Sequence, residues 1–140
     1  LDRSSAASDV YKRQLRSYYS NFDQANVTEQ NMNNADEVFL KNLTDFVLQH
    51  LSDPEMSVNL ITKHFNISRT LLYMNVKRIT DQTPSNFILN IKMSQAKKML
   101  LTTSMTSSEI ADQLGYCNSN HFSRQFKEYY NTTPGKFRKQ

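Results

Sequence analysis

At 140 residues, 38% of them hydrophobic and 11% aromatic, the chain has room for one domain of ordinary size or two very small ones sharing a linker, and for nothing larger. Two Gly and three Pro are too few for an all-β sandwich or barrel, which needs turn residues every ~8–12 positions, and no Val- or Ile-rich run ends in a Gly-rich loop as a parallel α/β sheet requires. The net charge of +4 is unevenly spread: residues 1–57 hold 5 Lys and Arg against 9 Asp and Glu, and residues 58–140 hold 12 against 4, the asymmetry of a polyanion-binding region behind an acidic lead-in, although a solvated basic surface would show the same.

Residues 1–14 carry neither a helical nor a strand period and are read as a non-native leader. Residues 15–34, polar and rich in Asn and Gln, read as a flexible linker that runs to about residue 35. From there Phe39, Leu40, Leu43, Val47 and Leu51 recur at helical spacing. Asn34 or Asp36 can cap the start and Ser52-Asp53-Pro54 supplies a stop, which predicts a helix over 36–51.

An internal repeat follows. In ITKHFNI (61–67) and IADQLGY (110–116), Ile61 matches Ile110, Phe65 matches Leu114, Asn66 matches Gly115 and Ile67 matches Tyr116, all at an offset of 49. Beyond the turn the offset becomes 50: Leu72 matches Phe122, Val76 matches Phe126, Lys77 matches Lys127, Thr83-Pro84 matches Thr133-Pro134 and Phe87 matches Phe137. One residue has been added in the second turn. Each copy reads as a short helix, a tight turn and a longer helix. Ser57 and Ser68 can cap the helices of the first copy, and Thr106 or Ser107 and Asn118 those of the second. Asn66 and Gly115 stand where the turn wants φ > 0, the conformation these residues enter at least cost. Two helices so joined make a helix-turn-helix.

Between the copies, PSNFILNIKMSQAKKMLLT (84–102) is one amphipathic segment, with Pro84 near the first helical position and Phe87, Ile88, Ile91, Met93, Ala96, Met99 and Leu100 giving a broad apolar face. As a helix it makes a rod of about 28 Å, slightly less than the ~34 Å between successive major-groove faces of a duplex. The expectation is an all-α chain of about seven helices, with one helix-turn-helix unit over 36–83, a connecting helix over 84–102 and a second unit over 103–140.

Over about residues 36–139 the chain resembles the DNA-binding domain of the AraC/XylS family of bacterial transcription regulators. The most specific stretch is IADQLGYCNSNHFSRQFKEYYNTTPGKFR (110–138), with its Ile-Ala, its glycine-aromatic pair, its Phe-Ser-Arg-x-Phe-Lys run, its Thr-Pro and its aromatic-Arg close. IKMSQAKKMLL (91–101) is similar to the family's connecting helix, with Lys92 where Arg is usual. Asp81 and Asn131 replace a common Gly, Cys117 a common Ser or Asp, and Met74 an often polar residue. The lead-in over 34–58 resembles the variant fused to two-component receivers, including hybrid sensor regulators of Bacteroidetes, which would make residues 15–34 the tail of a receiver-to-effector linker.

In each second helix one face must pack. Leu72, Val76 and Ile79, and then Phe122 and Phe126, lie at core spacing. The other face, near the helix start, is where helix-turn-helix proteins present side chains to base edges. That selects Arg69, Thr70, Tyr73 and Met74 in the first unit and Ser119, Asn120, Ser123 and Arg124 in the second. Arg can donate twice to guanine and Asn can pair with adenine, although any exposed helix carries such residues by chance. Lys77, Arg78, Lys92, Lys97, Lys98, Lys127, Lys136, Arg138 and Lys139 read as phosphate contacts, about half of them used. The helix starts at Ser57, Ser68, Ser107 and Asn118 add main-chain donors for phosphate oxygens. His64 and His121 are read as surface or groove residues, and Cys117 as a small packing residue in the turn.

The single cysteine permits no internal disulfide and no thiolate-rich zinc site, and His50, His64 and His121 lack ligand spacing, so neither metal nor cofactor is expected. No phosphate-cradling loop, nucleophile elbow or carboxylate cluster with a partner base suggests an enzyme. No apolar stretch reaches membrane-spanning length and no short apolar region with a cleavage site suggests a secretory signal, so a cytoplasmic location without membrane contact is expected. Double-stranded DNA is the expected partner, with RNA polymerase a second and homodimerisation through upstream domains a third. The competing expectation is a helical protein-interaction module whose basic face binds an acidic partner.

Overall fold

The computed structural model describes residues 34–140, so the leader and most of the linker expected over 1–35 lie outside the described residues. The described residues form seven helices: α1 (Asn34–Gln49), α2 (Val58–Phe65), α3 (Arg69–Thr80), α4 (Pro84–Thr102), α5 (Ser107–Gln113), α6 (Ser119–Tyr130) and α7 (Pro134–Arg138). α1, α2 and α3 make the first unit, α5, α6 and α7 the second, and α4 connects them. The all-α architecture of two helix-turn-helix units on a connecting rod is thus the observed one.

Local chemistry sets each boundary. The Ser57 and Ser68 hydroxyls accept from Leu60 N and Leu71 N at 3.3 and 3.0 Å. Thr83 and Thr133 cap α4 and α7, each followed by Pro at the start of the helix, where no amide donor is needed. Of the two caps open for α5, Thr106 is used. Thr106 Oγ1 accepts from Glu109 N and Glu109 Oε1 accepts from Thr106 N, both at 3.1 Å, which closes a capping box. Asn118 Oδ1 accepts from His121 N at 2.7 Å. Each turn closes in the left-handed region, Asn66 at φ 54° and Gly115 at φ 81°. Asp81 at φ 58° and Asn131 at φ 60° end α3 and α6 the same way, which is why a common Gly can be replaced there by residues that tolerate that conformation. Paired boundaries sit 49 apart before the turn (Ser57 with Thr106, Asn66 with Gly115) and 50 apart after it (Ser68 with Asn118, Asp81 with Asn131). The added residue is therefore Cys117. It is exposed rather than packed, a correction to the sequence reading: an insertion in a turn already closed by Tyr116 N donating to Ala111 O is pushed outward.

α1 begins two residues earlier than expected and ends at Gln49, with Leu40, Leu43, Phe46 and Val47 buried and Leu51 packing just beyond it. Asp36 does not cap α1. It lies in the first turn, where a carboxylate favours the positive end of the helix, and it accepts from both Nη atoms of Arg78 on α3 at 2.7 and 2.8 Å.

α4 contacts α1 and α3 of the first unit and α5 and α7 of the second. Its buried residues accordingly fall on two faces: Phe87, Ile88 and Ile91 on one, and Met93, Ala96 and Leu100 about 160° round the axis at 3.6 residues per turn. The units also touch directly. A Cβ added to Gly115 would stand 2.6 Å from the Leu51 carbonyl oxygen and 3.1 Å from that of Asp53, so the turn of the second unit rests against the loop after α1.

Candidate nucleic-acid interface

α3 and α6 are the second helices of the two helix-turn-helix motifs. Each spends one face on the core, with Leu72, Val76 and Ile79 buried from α3 and Phe122 and Phe126 from α6. What remains on α3 is Thr70, Tyr73, Met74 and Lys77, all exposed and spaced i, i+3, i+4 and i+7, one stripe of a helix. The matched stripe on α6 is Asn120, Ser123, Arg124 and Lys127, of which Ser123 is half-buried and the rest exposed. The expected base-reading residues therefore come together as two stripes in equivalent positions of two repeated units. Arg69 is exposed at the start of α3, where its Nη1 donates to Asn59 Oδ1 of α2, and Ser119 is half-buried at the start of α6. Arg69, Thr70 and Tyr73 also line an open concavity with Thr83, Pro84 and Ser85 at the start of α4.

The expected phosphate contacts divide. Lys77, Lys98, Lys127, Lys136 and Lys139 are exposed, although Lys77 Nζ lies 3.5 Å from Oδ1 of Asp81, the residue that caps the end of α3. Ser68 and Asn118 occupy the expected helix starts, their side-chain oxygens already accepting from Leu71 N and His121 N. Four of the basic residues make contacts that hold the chain together. Arg78 grips Asp36, and this hydrogen-bonded pairing, ahead of the opposing effect of burial, raises its pKa. Arg138 donates from Nε to Leu100 O at 3.0 Å and from Nη2 to Thr103 O at 3.2 Å, closing the carbonyl end of α4. Lys92 is half-buried with Nζ 5.0 Å from the centre of the Tyr116 ring, and burial lowers its pKa from the ordinary lysine value. Lys97 packs similarly over Tyr130 at 5.6 Å.

Two features of the site escaped the sequence reading. Leu71, taken with neither core nor interface, is exposed on α3 beside the stripe, and its place next to Leu72 in an amphipathic helix was the available signal. Asn59, the partner of Arg69, had no signal, because the bond joins residues ten apart across a turn. His121 is exposed at the start of α6 with its ring roughly perpendicular to that of Tyr116, and His64 is exposed and stacked on Phe46. Among the described residues no three His, Cys, Asp or Glu side chains are grouped to hold a metal ion, and no helix is long and apolar enough to cross a membrane.

A family model described as a helix-turn-helix domain matches residues 61–140. A protein named histidine kinase P4 of Formosa agariphila is 27% identical over 126 residues, which cover 90% of this chain and 9% of that protein. The Msm operon regulatory protein of Streptococcus mutans is 33% identical over 85 residues, 61% of this chain and 31% of that protein. The chain thus spans less than a third of either relative. The C-terminal domain of the two-component response regulator yesN from Fusobacterium nucleatum shares the fold at a TM-score of 0.68 and 26% identity, over 72% of this chain and 98% of that one.

Proposed function

The chain belongs to the AraC-type helix-turn-helix family of DNA-binding transcription regulators, and from that premise we infer that one monomer reads two adjacent major-groove segments of double-stranded DNA, α3 in one and α6 in the other. The observation that carries the reading is the pair of equivalent stripes, Thr70-Tyr73-Met74-Lys77 and Asn120-Ser123-Arg124-Lys127, on the second helices of two repeated units joined by α4. A helix of 19 residues measures about 28 Å, close to the ~34 Å repeat of the duplex. Arg69, Thr70, Tyr73 and Met74, with Ser119, Asn120, Ser123 and Arg124, take the base edges. Lys77, Lys127 and Lys136, with the amides behind the Ser68 and Asn118 caps, take phosphates. Arg78, Lys92 and Arg138 serve the backbone of the DNA only through the part of each head group left outside its bonds within the chain.

This domain is the output arm of a two-component signalling protein. Support comes from the named histidine kinase, whose match over 126 residues is longer than the described part of this chain and so extends into the segment before α1, and from the likeness to a response-regulator C-terminal domain. In such a protein, phosphorylation upstream brings two of these domains together, and linked binding at adjacent sites raises affinity through local concentration. RNA polymerase is the partner through which bound protein acts on transcription.

The test is binding to duplexes selected from a random pool and to unselected duplexes across a range of salt. A DNA reader of this kind shows a steep fall of affinity with salt on both and a large ratio between them. A protein-docking module shows neither.

A further inference from the structure

The two stripes differ in kind at their centres. Met74 holds on α3 the position that Arg124 holds on α6, and Tyr73 that of Ser123, whereas Lys77 and Lys127 agree at the far edge. Met74 is 60% exposed, Tyr73 47% and its neighbour Leu71 45%. α6 carries no exposed large apolar side chain at all. The core does not call for this surface, since Leu72, Val76 and Ile79 already fill the buried side of α3. Three large apolar groups on the water side of a 12-residue helix mark a place where the partner is also apolar.

The surroundings identify that partner. The patch lies between Arg69 and Lys77, both exposed, so a cationic side chain flanks it at each end, which suits a polyanion better than an apolar protein groove. The edges of the bases in a major groove offer one apolar group, the 5-methyl of thymine. Met74 has no N–H or O–H and cannot donate to guanine as Arg124 can. Its flexible thioether chain suits an irregular apolar surface, and Thr70, one turn earlier on the stripe, adds a methyl of its own.

We propose that α3 specifies its half-site by packing Met74, with Thr70 and Tyr73 beside it, against the 5-methyl groups of thymines, while α6 specifies the other half-site by hydrogen bonds from Asn120 and Arg124. This rests on the two-groove reading above and assigns a different recognition chemistry to each groove.

The experiment selects bound duplexes from a random pool, then replaces thymine by uracil, which removes only the methyl, in one half-site at a time. Cys117 orients the complex: it is the only cysteine, it is exposed, and it precedes the Asn118 cap of α6, so an iron chelate coupled to it cleaves the DNA beside the second unit. In the half away from the cleavage, fixed thymines appear and each uracil replacement weakens binding about three- to fivefold per contacted methyl. In the cleaved half the same replacement costs less than about twofold. Met74→Ala, at a site without a role in the core, binds thymine and uracil duplexes alike. A distal half with no fixed thymine, or with uracil bound as well as thymine, overturns methyl recognition and leaves the two-groove reading standing. Selection of a single fixed half, or of none, overturns the two-groove reading and this proposal with it.

Discussion

The Tyr129 hydroxyl on α6 donates to Asn90 Oδ1 on α4, 39 residues away in sequence. The same carboxamide donates from Nδ2 to Gln82 Oε1 at 2.6 Å, in the turn that follows α3. Gln82 and Asn90 are both buried, so one polar chain runs from the turn after α3 through α4 to α6. A buried network of this kind fixes geometry because its members have no water to turn to.

Tyr129→Phe keeps the ring and removes the donor. Asn90 Oδ1 is then left buried without it, and the chain should lose about 1–3 kcal/mol of unfolding free energy in urea titration. Loss of the link should also weaken binding to a two-half-site duplex more than to a duplex carrying one half-site, because only the former needs the two helices held in register.

Gly115→Ala should destabilise by about 1–3 kcal/mol, through the left-handed φ of 81° and a Cβ 2.6 Å from the Leu51 carbonyl oxygen. Gly135→Ala is the control. Nothing lies within 4 Å of its added Cβ and it sits inside α7, so that variant should be neutral or more stable by about 0.5–1 kcal/mol. Thermal melts of the two variants should move in opposite directions or differ by several degrees.

The contrast between those glycines shows what sequence makes legible. Caps and turns depend on residues three or four apart, so Ser57, Ser68, Asn118 and the φ > 0 positions Asn66 and Gly115 could be read directly, and with them the repeat. The two stripes followed from the same periodicity. The pairs that close the tertiary structure could not be read, because Asp36 with Arg78, Arg138 with Leu100 O and Tyr129 with Asn90 join positions 42, 38 and 39 apart with no local trace. Basic residues show this most clearly. Sequence gives Lys127 and Arg138 the same charge, yet one is exposed on α6 and the other closes the end of α4. Cys117 had a readable position but not a readable environment, since an inserted turn residue can face either way.

Arg124→Ala should cost about 1–3 kcal/mol at the selected site and relax the preference at one base pair. Lys127→Ala should weaken selected and random duplexes alike and reduce the salt slope by about one. Competition titrations with single-base variants of the selected site separate the two patterns. Equal losses on all sequences for Arg124→Ala would place that side chain on phosphate instead of on a base.

Whether a single chain engages two grooves is decided by hydroxyl-radical footprinting of the monomer on its selected duplex. Two protected segments per monomer are expected, about one helical turn or ~10 base pairs apart and on the same face of the duplex, because α4, a rod of about 28 Å, joins the units that carry α3 and α6. One protected segment per monomer, unchanged as the protein concentration is raised to saturation, would contradict the two-groove reading.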